Sequence, residues 1–185
     1  MSYSAADNSI DVAYWFFDRA ADNMKPLDDA KAQHLVFLSQ LLYADAYDRA
    51  MLVPSVFVCS EEGIFEPNLK KILSQGRPFM PRVRFNSKIN DFLEEIWKRY
   101  ADYTTNDMAK FVKSINIYKE NYKKDIKTIL DFKSIVESLN KNSKISTNSD
   151  EKRKILQSQN GPVVVSQWHP RKVSELNSKQ GVNHV

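Results

Sequence analysis

The residues able to do chemistry are few: one cysteine and three histidines in 185 residues, with four glycines. A catalytic His34 would need a carboxylate and a nucleophile beside it, and its neighbouring sequence supplies neither in a recognisable pattern, so a structural or surface role is expected. Cys59 closes an apolar run from Leu52, where a thiol serves as a small hydrophobe. A lone cysteine makes no internal disulfide, and His34, His169 and His184 have no metal-ligand spacing. Glu61, Glu62 and Glu66 could form a general acid and base. Neighbours in a turn point different ways, however, and nothing in the sequence predicts the burial that would raise a carboxyl pKa, so a solvated turn is expected. No phosphate-cradling loop or dinucleotide fingerprint is present. These residues predict no catalytic centre, no metal, no cofactor and no small-molecule substrate.

The remaining candidates act by contact. Tyr14, Trp15, Phe16 and Phe17 are consecutive, and a helix cannot turn all four toward one core. Trp15 or Phe16 is therefore expected at the rim, open to a partner or to the domain's own later segments. Glu61, Glu62 and Phe65 belong to a turn that can meet a partner. Val163, Val165 and Trp168 form an apolar island in a polar region, read as a strand or an extended docking segment that could add to an open strand edge near Val56–Val58. Lys119, Lys123, Lys124 and Lys127, with Tyr118 and Tyr122, form a lysine-tyrosine surface that would suit a nucleic-acid backbone or an ordinary exposed helix; no recognition motif accompanies it, and nucleic acid is not favoured.

Charge divides the chain. Residues 1–105 carry 12 Lys/Arg and 15 Asp/Glu, a net of −3, whereas residues 106–185 carry 15 and 8, a net of +7. Apolar residues make up 42% and charged residues 27%, the balance of a soluble globular domain. No stretch approaches the roughly 18 apolar residues of a membrane span, and the N-terminus lacks the basic start of a secretory signal. A cytoplasmic location is expected.

The elements that must position these residues are mainly helical. Ile10, Tyr14, Phe17, Ala21 and Met24, with Ala13 and Ala20 beside them, suggest a first helix capped by Asn8 or Ser9 and ended by Lys25-Pro26. Asp28 caps a second helix to about Tyr47, apolar on most faces from Leu35 to Tyr43 and so placed at the core's centre. Val56–Cys59 reads as an edge strand, or one that begins after Pro54. A short helix opens at Glu66-Pro67. Ile89, Phe92, Leu93, Ile96, Trp97 and Tyr100 give the cleanest apolar stripe, and a further helix is capped near Thr104. A last helix is expected from about Ile117 to Leu139, using Ile126, Ile129 and Leu130. The fold class is thus mainly α: a compact domain of five to seven helices over residues 8–139 with a minor β element. A polar linker (140–160) and a C-terminal tail (161–185) follow.

The order of segments resembles the Panacea domain. The resemblance rests on the helix Ile10-Asp11-Val12-Ala13-Tyr14-Trp15-Phe16, the turn Met24-Lys25-Pro26-Leu27 and the helix Lys31-Ala32-Gln33-His34-Leu35-Val36-Phe37-Leu38-Ser39-Gln40. It continues through the strand and turn Val56–Phe65 and the helix Leu93-Glu94-Glu95-Ile96-Trp97-Lys98-Arg99-Tyr100, covering about residues 9–113. It implies a non-enzymatic module in a bacterial or phage-associated protein. Such a module neutralises a co-encoded toxin by direct contact, or serves as an adaptor. The alternatives are the same scaffold turned to a phage-element or host-directed interaction, and a basic nucleic-acid-binding protein.

Overall fold

The computed structural model describes residues 4–78, 80–141, 154–158 and 161–165. Side-chain caps start most of its helices where the sequence marks them. The Asn8 carbonyl oxygen accepts from the Asp11 amide at 2.8 Å and opens α1 (Ser9–Asp22). Met24 then takes a left-handed φ of 51° just before Lys25-Pro26. The Asp28 carboxylate accepts from the Lys31 amide and opens α2 (Asp29–Ala46). Every residue from Lys31 to Leu41 is buried, because α1, three later helices and a strand all pack on α2. The continuous apolar run around Leu35–Leu41 is thus the sequence of a helix with no solvent face.

The buried stripe of α1 is the expected one only in part: Tyr14, Ala13 and Ala20 are buried as expected. Val12, Ala13, Phe16 and Ala20 are buried at the same helical period, whereas Phe17 is half-buried and Ala21 and Met24 are exposed. Two stripes of equal period compete here. The one with Ala13 and Ala20 is the one that packing against the neighbouring helices buries.

β1 (Phe57–Ser60) and β2 (Gly63–Phe65) form a hairpin, and α3 (Pro67–Leu73) follows with proline in its first turn. α4 (Ser87–Tyr100) buries Ile89, Leu93, Ile96, Trp97 and Tyr100, the expected stripe with only Phe92 half-buried. α1 and α4 run in the same sense, joined at three successive levels. The Trp15 indole N–H donates to Asn90 at 3.0 Å, Arg19 pairs with Glu94 at 2.9 Å, and the Trp97 indole N–H donates to Asn23 at 2.6 Å. α5 (Thr105–Ser114) starts at its Thr104 cap.

The expected helix over 117–139 is three elements instead. α6 (Asn116–Asn121) stops early, β3 (Thr128–Leu130) pairs with β1, and α7 (Phe132–Lys141) begins anew. Asp125 holds a left-handed φ of 60° between α6 and β3. The Asp131 carboxylate accepts from the Ser134 amide at 2.8 Å and from its hydroxyl, fixing the start of α7. Ile126, Ile129 and Leu130 happen to fit a helical period, but the β1 backbone offers Thr128–Leu130 a ladder, and that tertiary pairing decides. The lysine-tyrosine surface is accordingly not one helix face: Tyr118 is buried, and Lys123, Lys124 and Lys127 lie beyond the end of α6.

The sheet order is β2-β1-β3. β1 begins after Pro54, which keeps that proline out of the ladder, and is the central strand, so the expected edge near Val56–Val58 is occupied on both sides. The chain divides into two units, residues 1–138 and 139–185. In the second, β4 (Lys154–Ser158) pairs antiparallel with β5 (Gly161–Val165), in register from Lys154 opposite Val165 to Ser158 opposite Gly161. Part of the polar stretch read as linker is therefore a strand.

Candidate functional site

The small sheet has two unlike faces. Phe57, Cys59, Ile64 and Leu130 are at most 1% exposed and belong to the core. The alternate positions form a row across the strands, with Phe65 opposite Val58 and Val58 opposite Ile129. Directly opposed residues share a face and touch. In this row Phe65 is half-buried, Val58 is nearly covered, and Ile129 is 68% exposed. Val56, two residues before Val58, and Ile126, three before Ile129, are exposed as well. Of the five large apolar side chains exposed among the described residues, Ile129 thus lies on β3, and Val56 and Ile126 lie just before β1 and β3.

Charges frame the row. Glu61 and Glu62 are exposed at the tip of the β1–β2 hairpin, where the Ser60 hydroxyl accepts from the Glu62 amide at 3.2 Å. Lys70 pairs with Glu62 and holds its carboxyl below the usual range, a hydrogen bond being the main cause. The same ammonium lies 4.7 Å from the centre of the Phe65 ring, a cation–π contact that covers one side of the ring. Lys123, Lys124 and Lys127 are exposed and make no ion pair among the described residues.

Buried polar groups fix the hairpin from beneath. Gln33 holds the Glu66 backbone as a strand would, accepting from its amide at 2.9 Å and donating to its carbonyl at 3.3 Å. The Tyr118 hydroxyl donates to the Ser60 carbonyl at 3.0 Å. His34 is buried, with Nδ1 2.6 Å from the Ala30 carbonyl oxygen. That contact assigns the proton to Nδ1 and leaves Nε2 without a hydrogen-bond partner. Nε2 faces Gly63, where a Cβ would stand only 2.6 Å away. Burial lowers the imidazole pKa, so His34 is neutral near pH 7. It is a packing wedge between α2 and the hairpin.

The residues singled out by sequence fall in several places. Glu61, Glu62 and Phe65 come together on the exposed hairpin. Trp15 and Phe16, expected at a rim, are 7% and 0% exposed. Trp15 reaches α4 through Asn90, and Phe16 lies between the Trp15 and Trp97 rings. The domain's own later helix α4 thus covers this side of α1, the second of the two expected outcomes, and neither ring is left for a partner. Glu66 is not in a solvated turn. It is 3% exposed and caps α3, accepting from the Asn68 and Leu69 amides and the Ser9 hydroxyl. Cys59 is buried, and burial pushes its thiol up to about 11, so it is no thiolate at neutral pH. Val163 and Val165 lie on β5, while Trp168, His169 and His184 lie outside the described residues. Ile129 was missed as a surface residue because it was counted into a helix. The β-branched pair Thr128-Ile129 followed by an Asp131 cap was the signal for a strand.

An open cleft of about 570 Å³ lies beside the N-termini of α2 and α5. Its lysines are balanced within it: Lys25 pairs with Asp102, and Lys31, near Asp28, donates to the Ala101 carbonyl at 2.8 Å. No protein-family model matches the chain, and no curated protein or solved structure is similar to it.

Proposed function

We propose that this protein is a non-enzymatic binding module that acts on another protein by direct contact, in the manner of an antitoxin or an adaptor. The observation that carries the reading is the outer face of the small sheet. Val58, Phe65 and Ile129 form an apolar row with Ile129 68% exposed, framed by Glu61, Glu62 and lysines that make no ion pair among the described residues. An apolar centre with a charged rim is the anatomy of a protein interface. The face stands on a rigid base of helices, so little ordering is needed on docking. The resemblance to the Panacea domain supports a toxin as the partner.

The test is affinity capture of the tagged full-length chain from its own host, followed by reconstitution with the recombinant partner. A 1:1 or similarly defined complex, with growth arrest by the partner relieved on co-expression, is the expected result. A defined complex without relief of growth arrest would favour an adaptor or a phage-element interaction protein. Failure to form any protein complex would overturn the reading. Salt-sensitive binding to nucleic acid in its place would favour the second reading, for which Lys119, Lys123, Lys124 and Lys127 speak. No recognition motif accompanies these lysines, and the apolar row at the centre of the face offers nothing to a phosphate backbone.

A further inference from the structure

We infer that the outer edge of β3 receives an extended, acidic strand of a partner protein, which joins the sheet as its fourth strand. The inference rests on the protein-binding reading above and names the partner's chemistry. The sheet order leaves β3 with β1 on one side and no ladder partner on the other among the described residues. A free edge offers unpaired N–H and C=O groups, and an added strand completes them. By contrast, the β2 end of the sheet is tied down, because α2 packs on it and Gln33 occupies the Glu66 backbone.

Side chains and charge then decide what kind of strand fits. A strand beside β3 places alternate residues on the face that Ile129 shares with Val58 and Phe65, where β-branched or aromatic groups would cover exposed apolar surface. The approach to this edge is cationic. From Tyr122 to Leu130 there are three lysines, all exposed, and one acid, Asp125. Lys127 also lies within electrostatic reach of Glu62, which is itself paired with Lys70, so the lysines remain in excess. A second copy of the chain would bring the same lysines, so like charges oppose self-pairing, whereas an acidic strand is attracted. The lysines therefore guard the edge against copies of itself and select a partner of opposite sign.

The probe is a synthetic peptide with an alternating valine-threonine centre between glutamates, and a copy with lysines in place of the glutamates. Each is titrated into isotopically labelled full-length protein, followed by fluorescence anisotropy and amide chemical shifts. The acidic peptide should bind at least about tenfold more tightly than the basic one, with the first shifts at residues 126–130. Lys127→Glu and Ile129→Glu should each weaken it about tenfold, while Ile129→Thr keeps binding. Both charged variants change exposed side chains, and unchanged spectra elsewhere would establish that the fold is intact. Equal binding of the two peptides, no binding, shifts centred elsewhere, or indifference to both variants would overturn the inference. So would a dimer of the full-length chain that Ile129→Glu dissolves, which would assign the edge to a second copy. If Ile129→Glu holds the captured partner as well as the unaltered chain does, strand addition fails and the protein-binding reading stands. If the unaltered chain holds no protein, that reading fails.

Discussion

His34 and Gly63 meet at the point where the hairpin is held to α2, and each makes a distinct demand. Gly63 has a φ of +126°, and a methyl group there would meet His34 Nε2 at 2.6 Å. Gly63→Ala therefore combines backbone strain with a clash against a buried ring and should cost about 1–3 kcal/mol in a denaturant melt. An unchanged midpoint would show that the ring can move aside. The imidazole itself makes stability depend on pH. Burial chiefly holds its folded pKa below the ordinary 6.5, with Lys113 acting the same way and the Ala30 carbonyl and Asp28 opposing. On acidification the unfolded chain takes up the proton first. Stability is thus fully present above 6.5 and falls as pH drops from there toward the folded value, at up to about 1.4 kcal/mol per pH unit. This window lies above that of Asp22, Asp102, Glu62 and Asp131, whose lowered pKa values matter only at more acidic pH. Thermal melts from pH 7.5 to 5 should slope downward, and the His34→Gln variant should be flatter. Equal slopes would mean that the ring gains a proton without loss of packing.

At the scale of elements, the break between α6, β3 and α7 creates the exposed row, so its determinants can be tested directly. Asp131 caps α7 through the Ser134 amide, and Asp131→Ala should cost about 1 kcal/mol. A helix running unbroken through 121–132 would leave that substitution nearly neutral. Elements defined by local chemistry were legible in the sequence: the caps at Asn8, Asp28 and Thr104, the proline start of α3 and the α4 stripe all stand where residue types put them. The strand pairing of Thr128–Leu130 was not legible, because its partner lies some seventy residues earlier and the same apolar residues also satisfy a helical period. The α1 face was legible only in part for a related reason. Two stripes of equal period are present, and packing against the neighbouring helices chooses between them. Of the site, the hairpin residues Glu61, Glu62 and Phe65 were readable from turn chemistry, whereas Ile129 needed the sheet register.

Across the whole first unit, a helical core built on α2 carries one small sheet, and the proposed binding role requires that core to hold the sheet in place. Leu38 is 1% and Trp97 3% exposed, and Leu38→Ala or Trp97→Ala should each cost about 2–5 kcal/mol by denaturant melting. Unchanged midpoints for both would place the core elsewhere. Ile129, the exposed member of the row, should instead be nearly free of stability effects and rich in binding effects, the usual division between a scaffold and its contact surface. The most direct measurement is amide hydrogen–deuterium exchange of the full-length protein, alone and saturated with the partner recovered from its host. Contact through the sheet predicts that protection on binding concentrates in residues 56–65 and 126–130. Protection confined to other segments, with these two exchanging as in the free protein, would contradict it.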